Sequence, residues 1–328
     1  MIGTAPAGEP LQLRPELPIR VREPSRAVRR WQGLRAFLGA SRLNVLGVGL
    51  VALVVFAAIF GNLIVLHPPS QISLLERLSP PSWAHPFGTD DLGRDLFSRV
   101  VAGARISLEV AAIILSLSVV FGTLVGIVAG LVGGLVDEAI MRVTDLFLAF
   151  PALILAAAIA ATLGPSLSHT VIALSTVYWP WYTRLARGQV LSLRERDFVV
   201  AARVAGAGTS RIVVRELLPN VMPIVVVQMS LDVGYAILFT SSLSFLGLGA
   251  QPPTPEWGAM MTDARGFLQD FWWYPVFPGL ALGVTALGFN LLGDGLRDWL
   301  DPRLRAAARI RGGFGALRGL PTAEEKGT

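Results

Sequence analysis

The chain has 328 residues, of which 53% are hydrophobic and 16% charged, and a formal net charge of +5. A mean hydropathy of +0.58, with several charge-free runs near bilayer thickness, excludes most soluble enzymes and predicts one all-α, polytopic membrane domain. The absence of cysteine excludes disulfide frameworks, thiolate metal sites and cysteine nucleophiles, and the basic residues flank apolar runs instead of forming a nucleic-acid patch.

The first 43 residues hold eight arginines and three acids among several prolines, with no apolar h-region followed by a small-residue cleavage site. A cytoplasmic tail is expected there, not a signal peptide. Asn44 to Leu66 gives 23 residues without a charge, enough at about 1.5 Å per residue to cross the hydrocarbon core. This is span one (44–66), followed by an external loop over 67–105. Span two occupies the charge-free run up to Val136 and starts at Ile106 or Val110. The 38 residues from Leu146 to Thr183, broken by Gly164 and Pro165, divide into spans three and four. Asn220 to Leu248, interrupted only by Asp232, and Phe271 to Gly293 are spans five and six. Residues 106–302 thus form the core, and 303–328 a cytoplasmic C-terminal tail.

Lys and Arg number 23 on one set of alternate loops and five on the other. That asymmetry orients six spans with both termini in the cytoplasm and makes 184–219 a cytoplasmic loop. Within it, Leu191 to Ala205 predicts an amphipathic helix. Gly206-Ala207-Gly208 ends that helix through a left-handed C-cap, Thr209 or Ser210 caps a second short helix, and Pro219 marks entry into span five. Two short helices make a compact knob under the membrane; composition alone equally allows an interfacial helix lying on headgroups.

The run VAARVAGAGTSRIVVRELLP resembles the conserved loop of ABC importer permeases, in which Glu-Ala-Ala is followed after three residues by Gly and then by Leu-Pro. Ala201, Ala202, Gly206, Leu218 and Pro219 fit that spacing; Val200 stands where Glu is usual and Glu216 where Ile is usual. Three further blocks, Gly88 to Leu108 (GTDDLGRDLFSRVVAGARISL), Ser242 to Met260 and Phe289 to Pro302, are similar to the C-type permease subunit of dipeptide, oligopeptide, glutathione and nickel importers. The resemblance implies six transmembrane helices of the type I ABC importer permease fold. It also implies ATP-driven import of peptides, including glutathione, or of nickel chelates as the alternative. The implied partners are a second homologous permease, one or two ABC ATPase subunits carrying ATP and Mg, an external substrate-binding protein and the lipid bilayer. Residues Val200, Ala201, Ala202, Gly206, Ala207, Gly208, Leu218 and Pro219 then form the ATPase-coupling segment, whose small side chains allow close seating in a groove of the ATPase.

The chain's single lysine, Lys326, has no glycine frame for a Walker A loop, and no GxSxG or HExxH constellation exists. The chain is therefore expected to be non-catalytic, without cofactor or metal. Its three histidines, His67, His85 and His169, lie far apart in sequence, and solvated or packing roles are expected of them. Gly122, Gly126, Gly130 and Gly134 recur every four residues, a face for close helix packing or for rocking between permease subunits. Asp232, a carboxylate within a span, either lines the translocation pathway or snorkels from near the helix end or pairs with a partner's arginine. The block around Asp90, Arg94 and Asp95 lacks EF-hand spacing and is either a structural turn or an external docking surface. Trp272 and Trp273 suit the interfacial aromatic belt. A secondary transporter is the alternative from another class, and it would carry its own ion site and an inverted repeat; a passive channel would leave the knob without a purpose.

Overall fold

The structure, a computed structural model, describes residue 35 and residues 37–300. The expected C-terminal tail at 303–328 and nearly all of the N-terminal one lie outside the described residues. Among the described residues the backbone is helical, apart from loops, short 3-10 turns and one isolated bridge between Thr89 and Asp95.

Helix α1, Arg42–Ile64, starts where the Ser41 hydroxyl accepts from the Leu43 amide at 3.1 Å. Leu53, Ile59 and Leu63 are exposed, and only Asn44, Gly47, Val54 and Gly61 are buried. An apolar helix with so little protein contact suits lipid around most of its surface. It docks through small residues on α10, Trp273–Leu300: a Cβ at Gly47 would lie 2.8 Å from Leu291 Cβ, and one at Gly288 2.9 Å from Leu50 Cβ.

Helix α2 runs over Leu96–Val132, 37 residues, about 55 Å long at 1.5 Å per residue. It begins well before the expected Ile106 because its charged first turns are satisfied in place. Asp95 caps it, Oδ2 accepting from the Ser98 amide at 2.8 Å; Arg99 donates to the Pro69 carbonyl at 3.1 Å; Arg105 pairs with Glu109 one turn on at 2.7 Å. Gly133 and Gly134, with φ of 69° and 56°, end it and turn the chain into α3, Gly134–Leu148. The next helix, α4 (Ala152–Leu163), is bent 87° from α3 at Pro151, which cannot donate an amide to continue α3.

Helix α5, Leu167–Leu193, lies along α2. Beyond it come α6, Asp197–Val204, α7, Thr209–Ile212, a π-turn over Val213–Leu217 and α8, Leu218–Phe245. Short α9, Trp257–Ala264, packs between α8 and α10. Four stretches, α1, α2, the run Thr209–Phe245 and Trp273–Trp299, are long and apolar enough to cross a membrane, and the bent pair α3 and α4 makes up to five. Six were expected. The difference is α5, which carries Arg184, Arg187 and several hydroxyl residues: Thr170 and Thr183 are buried, Thr183 donating to the Gly122 carbonyl at 3.1 Å, while Arg184 is exposed and Arg187 half-buried, each paired with an aspartate of α3. A helix sheathed by protein is not required to be apolar all round.

Two hydrophobic clusters are stacked along α2, α5 and α8. One gathers Leu96, Ile114, Leu115, Leu174, Ile237, Trp257 and Tyr274 near the α1–α2 loop. The other gathers Ile127, Tyr182, Val190, Val199, Ile212, Leu217 and Val221 at the opposite end. The glycine face joins α2 to α5 between them. A Cβ at Gly122 would approach the Trp179 carbonyl oxygen to 2.4 Å, at Gly126 the Thr183 carbonyl oxygen to 2.4 Å, and at Gly130 the Val190 Cβ to 2.9 Å. This face is covered by the chain's own α5. Gly134 does not share it: it lies past the helix end with nothing within 4 Å of an added Cβ, because the turn at Gly133 breaks the four-residue register. Trp273 also departs from expectation. It is buried, its Nε1 donating to the Thr89 carbonyl at 3.4 Å, whereas Trp272 is exposed.

Candidate functional site

The segment 184–219 divides differently from the sequence reading. Its first ten residues continue α5, held to α3 by two ion pairs, Arg184 with Asp145 at 2.5 Å and Arg187 with Asp137 at 2.5 and 2.7 Å. Arg194 donates to the Gly130 carbonyl at 3.1 Å, satisfying one of the last carbonyls of α2. The amphipathic helix is therefore α6 alone, shorter than Leu191 to Ala205. It is ended by Gly206 at φ 79°, where a left-handed turn favours glycine. Thr209 and Ser210 do not cap α7; Gly208 occupies the N-cap and no side chain accepts from the first-turn amides. Pro219 sits at the start of α8, directly after the π-turn over Val213–Leu217, the kind of irregular turn that accommodates a missing amide inside a helical run.

Only Val199 of α6 is buried, and Ile212 and Leu217 follow it into the same cluster as Val190 and Val221. Each such side chain is worth about 1.5–3 kcal/mol on full burial, enough to seat a short helix that could not persist alone. The rest of the knob faces outward. Val200, Ala201, Gly206, Gly208 and Pro219 are exposed, Ala202, Ala207 and Leu218 half-buried. Val204, one turn beyond Val200, is 84% exposed. Exposed small and apolar side chains interleaved with exposed Arg203 and Arg211 have the character of a protein contact. Val204 was not singled out from sequence, since a valine in an amphipathic helix reads as a core position.

Asp232 lies midway along α8 and is buried, so it cannot snorkel from a helix end. Its Oδ2 accepts from the Tyr182 hydroxyl at 2.6 Å and its Oδ1 from Gln228 Nε2 at 2.9 Å. It borders a cavity of about 360 Å³ lined by Tyr178, Trp181, Gln228, Tyr235 and Phe239, with Ala152 and Val177. An aromatic wall around one carboxylate favours a cationic or amphipathic guest. Tyr182 escaped the sequence reading because nothing in the chain marks a contact 50 residues apart, whereas Gln228, one turn before Asp232 on the same helix, carries the i, i+4 spacing that could have found it.

At the other end of the bundle, Asp90, Arg94 and Asp95 are all buried and cannot present a docking surface. Asp90 Oδ1 accepts from the Leu92 and Arg94 amides at 2.9 and 2.8 Å. Its Oδ2 takes Arg94 Nε at 2.5 Å and faces Arg99 Nε at 3.5 Å. Tyr274 donates to Asp91 at 2.7 Å. Arg94 also reaches Asp263 at 3.9 Å; burial raises the Asp263 carboxyl above its usual range, Asp91 adding to the rise and Arg94 and Arg99 opposing it. The block is a structural turn that ties the start of α2 to α9 and α10. Two of the three histidines also meet here. His67 and His85 have ring centroids 4.8 Å apart, and His85 Nδ1 lies 2.9 Å from Asp95 Oδ1. Their separation in sequence concealed this, because a loop fold, not a local motif, brings them together. His169 is elsewhere, on the Gly164 carbonyl.

A family profile described as binding-protein-dependent transport system inner membrane component matches residues 122–306. The chain is 48% identical over 267 residues to a dipeptide transport system permease protein of Escherichia coli K12, covering 80% of this chain and 89% of that one. It is 43% identical over 280 residues to a dipeptide transport system permease protein of Alkalihalophilus pseudofirmus, covering 85% and 92%. To a di/tripeptide transport system permease protein of Pseudomonas aeruginosa it is 44% identical over 268 residues, covering 80% and 88%.

Proposed function

Because the chain belongs to the inner membrane components of binding-protein-dependent transport systems, as a multi-pass permease of the peptide ABC importers with the type I fold, we propose that it forms one half of a peptide pathway driven by separate ATPase subunits. The observation that carries the reading is the knob of α6 and α7. It is anchored in the core through Val199, Ile212 and Leu217 and leaves Val200, Ala201 and Val204 outward. Such a surface supports docking into an ATPase groove, with Val200 making an apolar contact where related loops place a glutamate. ATP and Mg reside on that partner, and this chain holds no nucleotide.

The knob side is the cytoplasmic one, as are both termini, and the α1–α2 loop faces the substrate-binding protein. Closure of the ATPases pushes on α6, and the force reaches α5 and α8, which share the knob's hydrophobic cluster. These two helices carry Tyr178, Trp181 and Asp232 of the aromatic cavity. Alternating access follows when they rock against a second, homologous permease. Peptides cross by way of the cavity, where Asp232 offers a carboxylate to a peptide ammonium group.

The test is to isolate the full-length chain from its native membrane, identify co-purifying proteins and assay ATP hydrolysis and peptide uptake after reconstitution. Recovery of a second permease and a Walker-type ATPase, with ATP-dependent dipeptide uptake, is expected. A chain that comes alone and transports without ATP would overturn the reading in favour of a secondary transporter or channel.

A further inference from the structure

The loop that joins α1 to α2 folds His67, Glu76, His85 and Asp95 into one cluster. One potential ligand atom from each of His67, His85 and Asp95 lies within 4.8 Å of the others. His85 and Asp95 are buried. Asp95 is rigidly held, since its Oδ2 caps α2 through the Ser98 amide at 2.8 Å while Oδ1 faces His85 Nδ1 at 2.9 Å. On the far side of the same ring, His85 Nε2 lies 3.7 Å from Glu76 Oε2. His67 is fixed by its backbone, its amide donating to Ser98 Oγ at 3.2 Å. Its ring nitrogen Nδ1 is buried without any hydrogen-bond partner, an arrangement that costs free energy unless something else occupies it.

From this arrangement we propose that His67, His85 and Asp95 bind a divalent transition cation of the zinc class, with Glu76 as the outer carboxylate that orients His85. Two imidazoles and one carboxylate suit such ions, whose Zn–N distances of about 2.0–2.1 Å set ligand-to-ligand edges near 3.3 Å. The His85–Asp95 edge is already that short, so only His67 has to close in. The cation replaces the proton that Nδ1 shares with Asp95. The imidazole proton moves to Nε2, where Glu76 accepts it, giving the carboxylate–histidine–metal relay common around bound metals. Three protein ligands leave a fourth position for water. Because His67 lies just beyond α1 and Asp95 caps α2, the bound ion braces the ends of these two helices together.

The full-length protein, purified in nanodiscs through a tag free of histidine and stripped with chelator, is titrated with Zn2+ against a chromophoric competitor and its bound metal counted by mass spectrometry. Binding of about one equivalent is expected, weakened roughly tenfold or more by His67→Ala and by His85→Gln and unchanged by His169→Ala. Zn2+ should raise the melting temperature of the wild type and leave that of His67→Ala where it was. Because His67 makes no side-chain hydrogen bond, its removal should not prevent folding; Co2+ spectra of the wild type, with the intense visible bands of a four-coordinate site, provide a readout independent of any variant. No wild-type binding at micromolar free Zn2+, or affinity unchanged in both histidine variants, would overturn the proposal.

Discussion

The Tyr182 hydroxyl donates a 2.6 Å hydrogen bond to Asp232 Oδ2, joining the centre of α5 to the centre of α8 beside the aromatic cavity. Both residues are buried, so the pair sets the spacing of two helices that share the knob's core. Tyr182→Phe should lower stability by about 1.5–3 kcal/mol, the usual worth of a hydrogen bond to a charged group. Asp232→Asn keeps the shape and should instead reduce uptake at limiting dipeptide with the assembled complex recovered in full yield. Melting in detergent and radiolabelled uptake separate the two effects. Uptake unchanged in Asp232→Asn would take Asp232 off the pathway.

The glycine face gives a graded test of packing. At Gly126 a new Cβ meets the Thr183 carbonyl and Ala186 Cβ at 2.4 and 2.8 Å, so Gly126→Val should push α2 and α5 apart and cost about 1–3 kcal/mol or more. At Gly134 the space is open and only the positive φ resists, so Gly134→Ala should cost about 1–2 kcal/mol of backbone strain without moving helices. A crosslink between cysteines placed on α2 and α5 should form less readily in the first variant only. Equal crosslinking in both would refute close packing as the role of Gly126.

The knob predicts a separation of folding from coupling. Val204→Asp alters a side chain that is 84% exposed and should change stability by less than about 0.5 kcal/mol. Its effect should fall on recovery of the ATPase during purification and on ATP-dependent uptake. Val199→Asp, fully buried in the knob's cluster, should instead unfold the segment, seen as new proteolytic cleavage between Arg194 and Arg215. An ATPase recovered normally with Val204→Asp would show that this face is not the contact.

The turn at Asp90 is expected to be structural. Asp90→Asn removes the carboxylate shared by buried Arg94 and Arg99, leaving Arg94 only the longer contacts to Asp91 and Asp263, and should cost about 3 kcal/mol, the lower end for breaking a buried ion pair. Glu109→Gln, which breaks an exposed pair with Arg105, should leave the melting temperature where it was. A melting temperature equally unaffected in both variants would contradict the buried network.

Length and charge-free runs were sufficient for an all-α membrane chain, because hydrocarbon imposes a length and an apolarity on any lipid-exposed helix, and α1, α8 and α10 obey both. The knob was legible for a similar reason: Gly206 favours a left-handed backbone and Pro219 favours the start of a helix, preferences that act within a few residues. Other features depended on contacts far apart in sequence. The early start of α2 needed Asp95 and the partners of Arg99, and the hydroxyl-rich α5 is sheathed by α2. The carboxylate of Asp232 acquired its surroundings from Tyr182, and His67 met His85 and Asp95 only through the folded α1–α2 loop. Lipid and backbone act on each residue where it stands and leave a periodic trace in the chain. A buried charge or imidazole is stabilised by whichever partner the tertiary fold delivers, and that partner leaves no trace beside it in the sequence.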